Sequence, residues 1–209
     1  MGYLAKLRVW RGNKEKGELK NYQVDVAEGE VLQLMNMHDP DVNEERYMQV
    51  IHYKTGKLFE ASAALGALLA KATPEQYAAA EAYGRHIGST FQLVDDILDY
   101  TASAEQMGKN AGDDLREGKP TLPLIYLLDH GTAEQKKLVR DAIEQAEELP
   151  EDMFQQVYQA IMESKAIAYT EDTARREAQL AKDALACFPK NEATQSLMDL
   201  CDYSLKRST

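Results

Sequence analysis

The segment FQLVDDILD at residues 91–99 restricts what this chain can fold into more than any other stretch, because it sets three carboxylates and an amide among apolar residues. At about 100° per residue, Gln92, Asp95, Asp96 and Asp99 share a helical arc of roughly 100°, and Phe91, Leu93, Val94, Ile97 and Leu98 take the rest of the circumference. A surface helix has the reverse arrangement, a narrow apolar stripe on a polar cylinder. The segment therefore reads as a core helix whose single polar stripe faces a cavity. The plain alternative, a solvated acidic patch, fits poorly with so many flanking apolar residues. Buried carboxylates repel one another and resist desolvation, so they either take up protons or share cations, and hard divalent ions with oxygen ligands suit them.

Downstream, GKNAGDDLREGKPTLP at residues 108–123 supplies Lys109 and Lys119 from a glycine-punctuated loop. Lysines beside a carboxylate and Mg²⁺ stripe make sense for a polyphosphate, whose oxygens bridge the metals while ammonium groups take the remaining charge. A diphosphate is the implied ligand.

These two segments, with KTGKLFEASAALGALLA upstream and AEGEVLQLMNMHDPD before it, resemble the C-terminal part of bacterial trans-prenyltransferases of the polyprenyl synthetase family. Within that family the likeness is greatest to the long-chain, octaprenyl diphosphate synthases. It runs from about Val26 to near the C-terminus and is strongest at 28–34 and 54–128. The resemblance implies an all-α fold, a partial isoprenoid-synthase-type helical bundle around a central cavity that lacks its N-terminal helices. It implies head-to-tail condensation of isopentenyl diphosphate with an allylic prenyl diphosphate, repeated to lengthen a trans-polyprenyl chain for quinone side chains, in a cytoplasmic homodimer. It also implies roles for residues: Asp95, Asp96 and Asp99 as Mg²⁺ ligands, Lys54 and Lys109 as catalytic contacts to the diphosphate, and Thr55, Gln92 and Lys119 beside it. Without the resemblance, Lys54 would read as a lysine at the edge of an apolar seam, snorkelling to solvent. Asp113 and Asp114 look like a second metal pair, but a glycine-flanked loop ordinarily uses Asp for turns and caps, and that structural reading is preferred.

The family carries a first DDxxD motif on a helix upstream of EGEVLQL, and nothing like it precedes Glu28 here. Residues 1–23 match no family element and are expected to be a non-family or disordered segment, with 24–209 as the C-terminal part of a polyprenyl synthetase domain. The chain is accordingly expected to be partial, as a truncation, a fragment or a degenerate paralogue, and inactive alone. A rival reading makes it a non-catalytic regulatory subunit of a full-length synthase. A terpene cyclase is disfavoured, since its second metal motif is built on Asn, Ser/Thr and Glu.

Composition supports one domain of 209 residues with 44% hydrophobic content. A net charge of −11 argues against a nucleic-acid or anionic-membrane surface. No apolar run is long enough to span a bilayer, and the start of the chain lacks a signal-peptide apolar region. Cys187 and Cys201 have no metal spacing and are expected to be reduced structural thiols, and the four histidines share no metal spacing either.

Apolar residues recur with helical spacing almost everywhere. Helices are predicted at 24–37, from 43 to about 71, and then to Tyr100 from a capping box at Thr73-Pro74-Glu75-Gln76. More follow at 121–130, after a second box at Thr132, and at 151–163, 165–186 and 192–206. No strand is predicted, and 12–20 is polar enough to be disordered.

Overall fold

The structure, a computed structural model, describes residues 4–12, 17–25, 27–102 and 112–207, with side chains from residue 29 onward. Helices fill nearly all of it after residue 26: α1 (Ala27–Asn36), α2 (Glu44–Ile51), α3 (Lys57–Leu69), α4 (Pro74–Thr101), α5 (Asp113–Arg116), α6 (Leu122–His130), α7 (Ala133–Glu144), α8 (Glu151–Glu163), α9 (Ala166–Ala184) and α10 (Glu192–Lys206). Among the described residues no helix is long and apolar enough to cross a membrane.

The local signals act as the chemistry requires. Thr73 opens α4 with a reciprocal box, its hydroxyl accepting from Gln76 N at 3.2 Å while Gln76 Oε1 accepts from Thr73 N at 3.1 Å. Pro74 follows at the first helical position, where its missing N–H leaves no bond unmade. Thr132 and Gln135 repeat the device at α7, and Asn43 and Asn191 cap α2 and α10 through their side chains.

α4 is the axis of the molecule, packed between α3 and α9. Three apolar clusters lie along it. Tyr83 and Ile87 join Ala178, Ala181, Leu185 and Cys201. Leu93 and Val94 meet Val42, Ile51, Leu122 and Ile125. Tyr100 packs with Leu124, Leu127, Val139, Phe154 and Ile161. Each fully buried large apolar side chain contributes about 1.5–3 kcal/mol, so this axis is fixed in rotation as well as position. Both cysteines are unpaired, Cys201 inside the first cluster.

Two features depart from the sequence reading. The helix expected from 43 to 71 is interrupted by a π-helical turn, His52–Gly56, between α2 and α3. A π turn holds an extra residue per turn and so changes which side chains face which way, often where a site is built. The second departure lies ahead of α1, where β1 (Leu4–Gly12) and β2 (Gly17–Asp25) pair antiparallel, from Leu4 opposite Asp25 to Gly12 opposite Gly17. Residues 17–20, expected to be too polar to order, thus lie in a strand. Ladder hydrogen bonds between two backbones need no apolar face, and the alternation Ala5-Lys6-Leu7-Arg8-Val9, broken at Trp10, is too short to stand out.

Candidate functional site

Two members of the polar stripe of α4, Gln92 and Asp96, open onto a cleft walled by α1, α2, the π turn and the start of α6. Asp96 is its floor, 3% exposed. The Tyr47 hydroxyl donates to Asp96 Oδ2 at 2.6 Å, and Gln92 Nε2 donates to Oδ1 at 2.9 Å. Gln92 in turn accepts from Thr55 Oγ1 at 3.0 Å, which ties the π turn to the acidic helix. Lys54, on the same turn, donates to Gln33 Oε1 at 2.6 Å and lies 3.9 Å from Glu30 Oε1. Here α1 approaches as closely as a helix can: a Cβ on Gly29 would fall 2.1 Å from Lys54 N, so only glycine allows Gln33 to reach that ammonium.

The opposite wall comes from α5 and the turn after it. Asp114 N donates to Asp99 Oδ2 at 3.2 Å, and Asp114 Oδ1 accepts from Lys119 Nζ at 2.8 Å. Lys119 also reaches Glu117 Oε2 at 2.5 Å.

Charge is out of balance at this point. Burial, then the neighbouring Asp114 carboxylate, pushes the Asp96 carboxyl up to about 7, against the opposing bonds from Tyr47 and Gln92. Burial followed by Asp114 does the same to Asp99, again to about 7. Burial would lower the Lys119 ammonium, but its bonds to Asp114 and Glu117 outweigh burial and hold it charged.

The cleft gathers Lys54, Gln92, Asp96 and Lys119 from the sequence-predicted set, with Thr55 bonded to Gln92 and Asp99 bonded to the Asp114 backbone. Asp95 does not line it. Its side chain is 50% exposed and lies 3.5 Å from Arg207 Nη2, whose guanidinium stacks 4.3 Å from the Phe91 ring centroid. Lys109 falls outside the described residues. In Asp95's place the cleft holds Asp114, which the sequence reading preferred as a turn residue, and Tyr47, Gln33 and Asn36, which it did not single out. Gln33 carried a usable signal, a lone amide between Leu32 and Leu34. Tyr47 carried none, because a tyrosine on an apolar face reads as core.

Among the described residues no three carboxylate, imidazole or thiolate groups converge into a ready-made metal cage. Mg²⁺ does not require one: it binds typically through one or two carboxylates and completes its shell with water and substrate phosphates. Asp96 and Asp114 line the cleft and Asp99 bonds the Asp114 backbone; Lys119 pairs with Asp114, so Asp96 and Asp99 are the hard oxygen donors left for an entering cation to meet.

Residues 16–161 match the family model described as Polyprenyl synthetase. The chain belongs to the polyprenyl synthetase family. Over 182 residues it is 46% identical to octaprenyl diphosphate synthase of Escherichia coli (strain K12), a match covering 87% of this chain and 56% of that protein. The all-trans-nonaprenyl-diphosphate synthase (geranyl-diphosphate specific) of Rhodobacter capsulatus is 41% identical over 88% of this chain and 55% of its own length. Among solved polyprenyl synthases, that of Caulobacter crescentus CB15, complexed with calcium and isoprenyl diphosphate, superposes with a TM-score of 0.82 at 40% identity, covering 88% of this chain and 56% of that one. This polyprenyl synthetase chain thus spans about half the length of the curated relatives it matches, and its helices follow the family fold.

Proposed function

We propose that the cleft is one wall of a diphosphate site of a trans-polyprenyl diphosphate synthase of the octaprenyl type, which joins isopentenyl diphosphate to an allylic prenyl diphosphate. The observation that carries this is the meeting of Lys54 and Lys119 with the carboxylates Asp96 and Asp114 across one cleft, with Asp99 bonded to the Asp114 backbone beside it. Cations on the rim and uncompensated carboxylates on the floor suit a polyanion only if divalent cations lie between them. Family membership, and the calcium and isoprenyl diphosphate named for the Caulobacter relative, support the same reading.

Mg²⁺, held by Asp96 and Asp99 or by Asp95 on the same helix, would supply charge stabilisation for the departing diphosphate. The chain's own residues do the rest. Lys54 exchanges its bond to Gln33 for a phosphate oxygen, and Lys119 adds a second ammonium while Asp114 keeps it aimed. Thr55 and Tyr47 hold the Gln92–Asp96 pair still as negative charge grows on the leaving oxygen, and fixed partners of this kind lower the barrier because nothing reorganises during the step. Lys109 is proposed to join them from its loop.

Isothermal titration with inorganic diphosphate tests the site. Binding should require Mg²⁺ and disappear with chelator, and Asp96→Ala or Asp99→Ala should remove the Mg²⁺-dependent binding. Equal affinity with and without Mg²⁺ would overturn the metal-bridged reading.

A further inference from the structure

Lys119 enters the cleft from a tight turn, and the residue fixing that turn lies outside the cleft. α5 ends with Gly118 N donating to Leu115 O and Lys119 N donating to Asp114 O, both at 2.9 Å, a Schellman closure with Gly118 at φ 72°. Pressed against Gly118 is His38, from the loop between α1 and α2. His38 is itself left-handed at φ 60°, a conformation uncommon outside glycine. Its backbone N–H donates to Gly118 O at 2.8 Å. Its ring lies so close that a Cβ on Gly118 would fall 2.4 Å from Nδ1. Nδ1 is also 3.3 Å from Ile143 O on α7. A carbonyl only accepts, so that bond needs Nδ1 to carry the proton. Arg46 steadies the loop from behind, donating to Asn36 Oδ1 at 2.7 Å and Asp39 Oδ2 at 3.0 Å.

We propose that His38 is a positioning residue for Lys119: it clamps the Gly118 turn from three sides, through its N–H, its ring and its anchor on α7, and so holds the Lys119 ammonium against Asp114 at the mouth of the cleft. His38 touches neither Asp96 nor Asp99 and acts only through the turn. Its consequence for ligand binding rests on the diphosphate reading above, whereas the clamp itself does not.

The direct test needs no ligand. In the 209-residue chain, acetic anhydride labelling read by mass spectrometry compares Lys119 with exposed Lys190. His38→Ala meets strain at positive φ and lacks the ring, so Lys119 labelling should rise about tenfold relative to Lys190. His38→Asn tolerates the left-handed backbone, keeps the N–H bond and offers an amide N–H toward Ile143 O in place of the ring's, and should restore most of the protection that His38→Ala and His38→Gly lose. An unchanged Lys119 to Lys190 ratio in His38→Ala overturns the proposal. Should that variant not fold, His38→Gly keeps the backbone, loses only the ring, and carries the same measurement with the same meaning.

The second test uses Mg²⁺ and inorganic diphosphate. If His38 works through Lys119, then Lys119→Ala and His38→Ala/Lys119→Ala should bind diphosphate equally, because the second change has nothing left to displace. Losses that add would show that His38 acts by another route and overturn the proposal. If the unaltered chain binds no diphosphate, the diphosphate reading falls, and the labelling ratio still decides the clamp.

Discussion

Asp96 and Asp99 make the stability of the chain depend on pH in an unusual direction. Folded, their carboxyls titrate near 7; unfolded, an aspartate titrates near about 3.9. Between those values the folded chain binds more protons than the unfolded one, so stability falls as pH rises. The contribution is fully present below the unfolded value and is lost as pH passes through 7. In chelator, the thermal midpoint should therefore drop between pH 5 and pH 8, and Asp96→Asn should flatten much of that slope; an unaltered slope in Asp96→Asn would show that its carboxyl is not the one responsible. Tyr47→Phe keeps the shape of the pocket and removes the donor to Asp96 Oδ2. Leaving that buried oxygen unpaired should destabilise the fold by about 1–3 kcal/mol in denaturant titration. The carboxylate stripe was legible in the sequence, since periodicity and polarity suffice to draw one. Which carboxylate enters the cleft was not, because Asp95 and Asp96 differ by one helical step, and only the packing of α2, with Tyr47, and of α10, with Arg207, separates them. Asp114 was hidden for a related reason: an aspartate that ends a turn and one that holds a lysine look alike until the turn is placed.

At the scale of the element, boundaries were legible wherever a cap is spelled out locally, as at Thr73 and Thr132, because capping chemistry involves residues only three apart. The π turn was not, since one additional residue in a turn alters orientation without altering composition. Nor was the hairpin, whose pairing runs across the chain and not along it. α4 takes its rigidity from packing, and Leu93, at 0% exposure, is fully enclosed in it. Leu93→Ala should destabilise the chain by about 2–5 kcal/mol, through lost burial and the cavity left behind. It should also weaken Mg²⁺-dependent diphosphate binding, because the same helix carries Gln92 and Asp96. Stability loss with fully retained diphosphate affinity would mean that α4 tolerates a void without moving its polar face.

At the scale of the molecule, Val31, Leu34 and Met35 stand exposed on one face of α1, at 45%, 67% and 68%. A contiguous apolar strip of this kind seeks cover. Size-exclusion chromatography should show self-association or retention on the matrix, relieved by Leu34→Glu with Met35→Glu; a monodisperse monomer that binds no apolar dye would show that the strip is too small to matter. Turnover is expected to be poorer than binding. With a single DDxxD the diphosphate would be gripped from one side, and loose orientation acts directly on the barrier, so farnesyl diphosphate and radiolabelled isopentenyl diphosphate should give no measurable polyprenol from the chain alone. Robust product would show that Asp114 or another residue here replaces the second grip. The passage of α4 through all three apolar clusters has one more consequence. Such a rod has no fine adjustment. The smallest slip its packing permits is one residue, about 1.5 Å along the axis with about 100° of rotation, and that slip would carry Asp96 out of reach of Tyr47 altogether. Its register is therefore a digital setting, and sequence drift that preserves the three clusters leaves the carboxylates where they are, while drift that shifts one cluster loses them together.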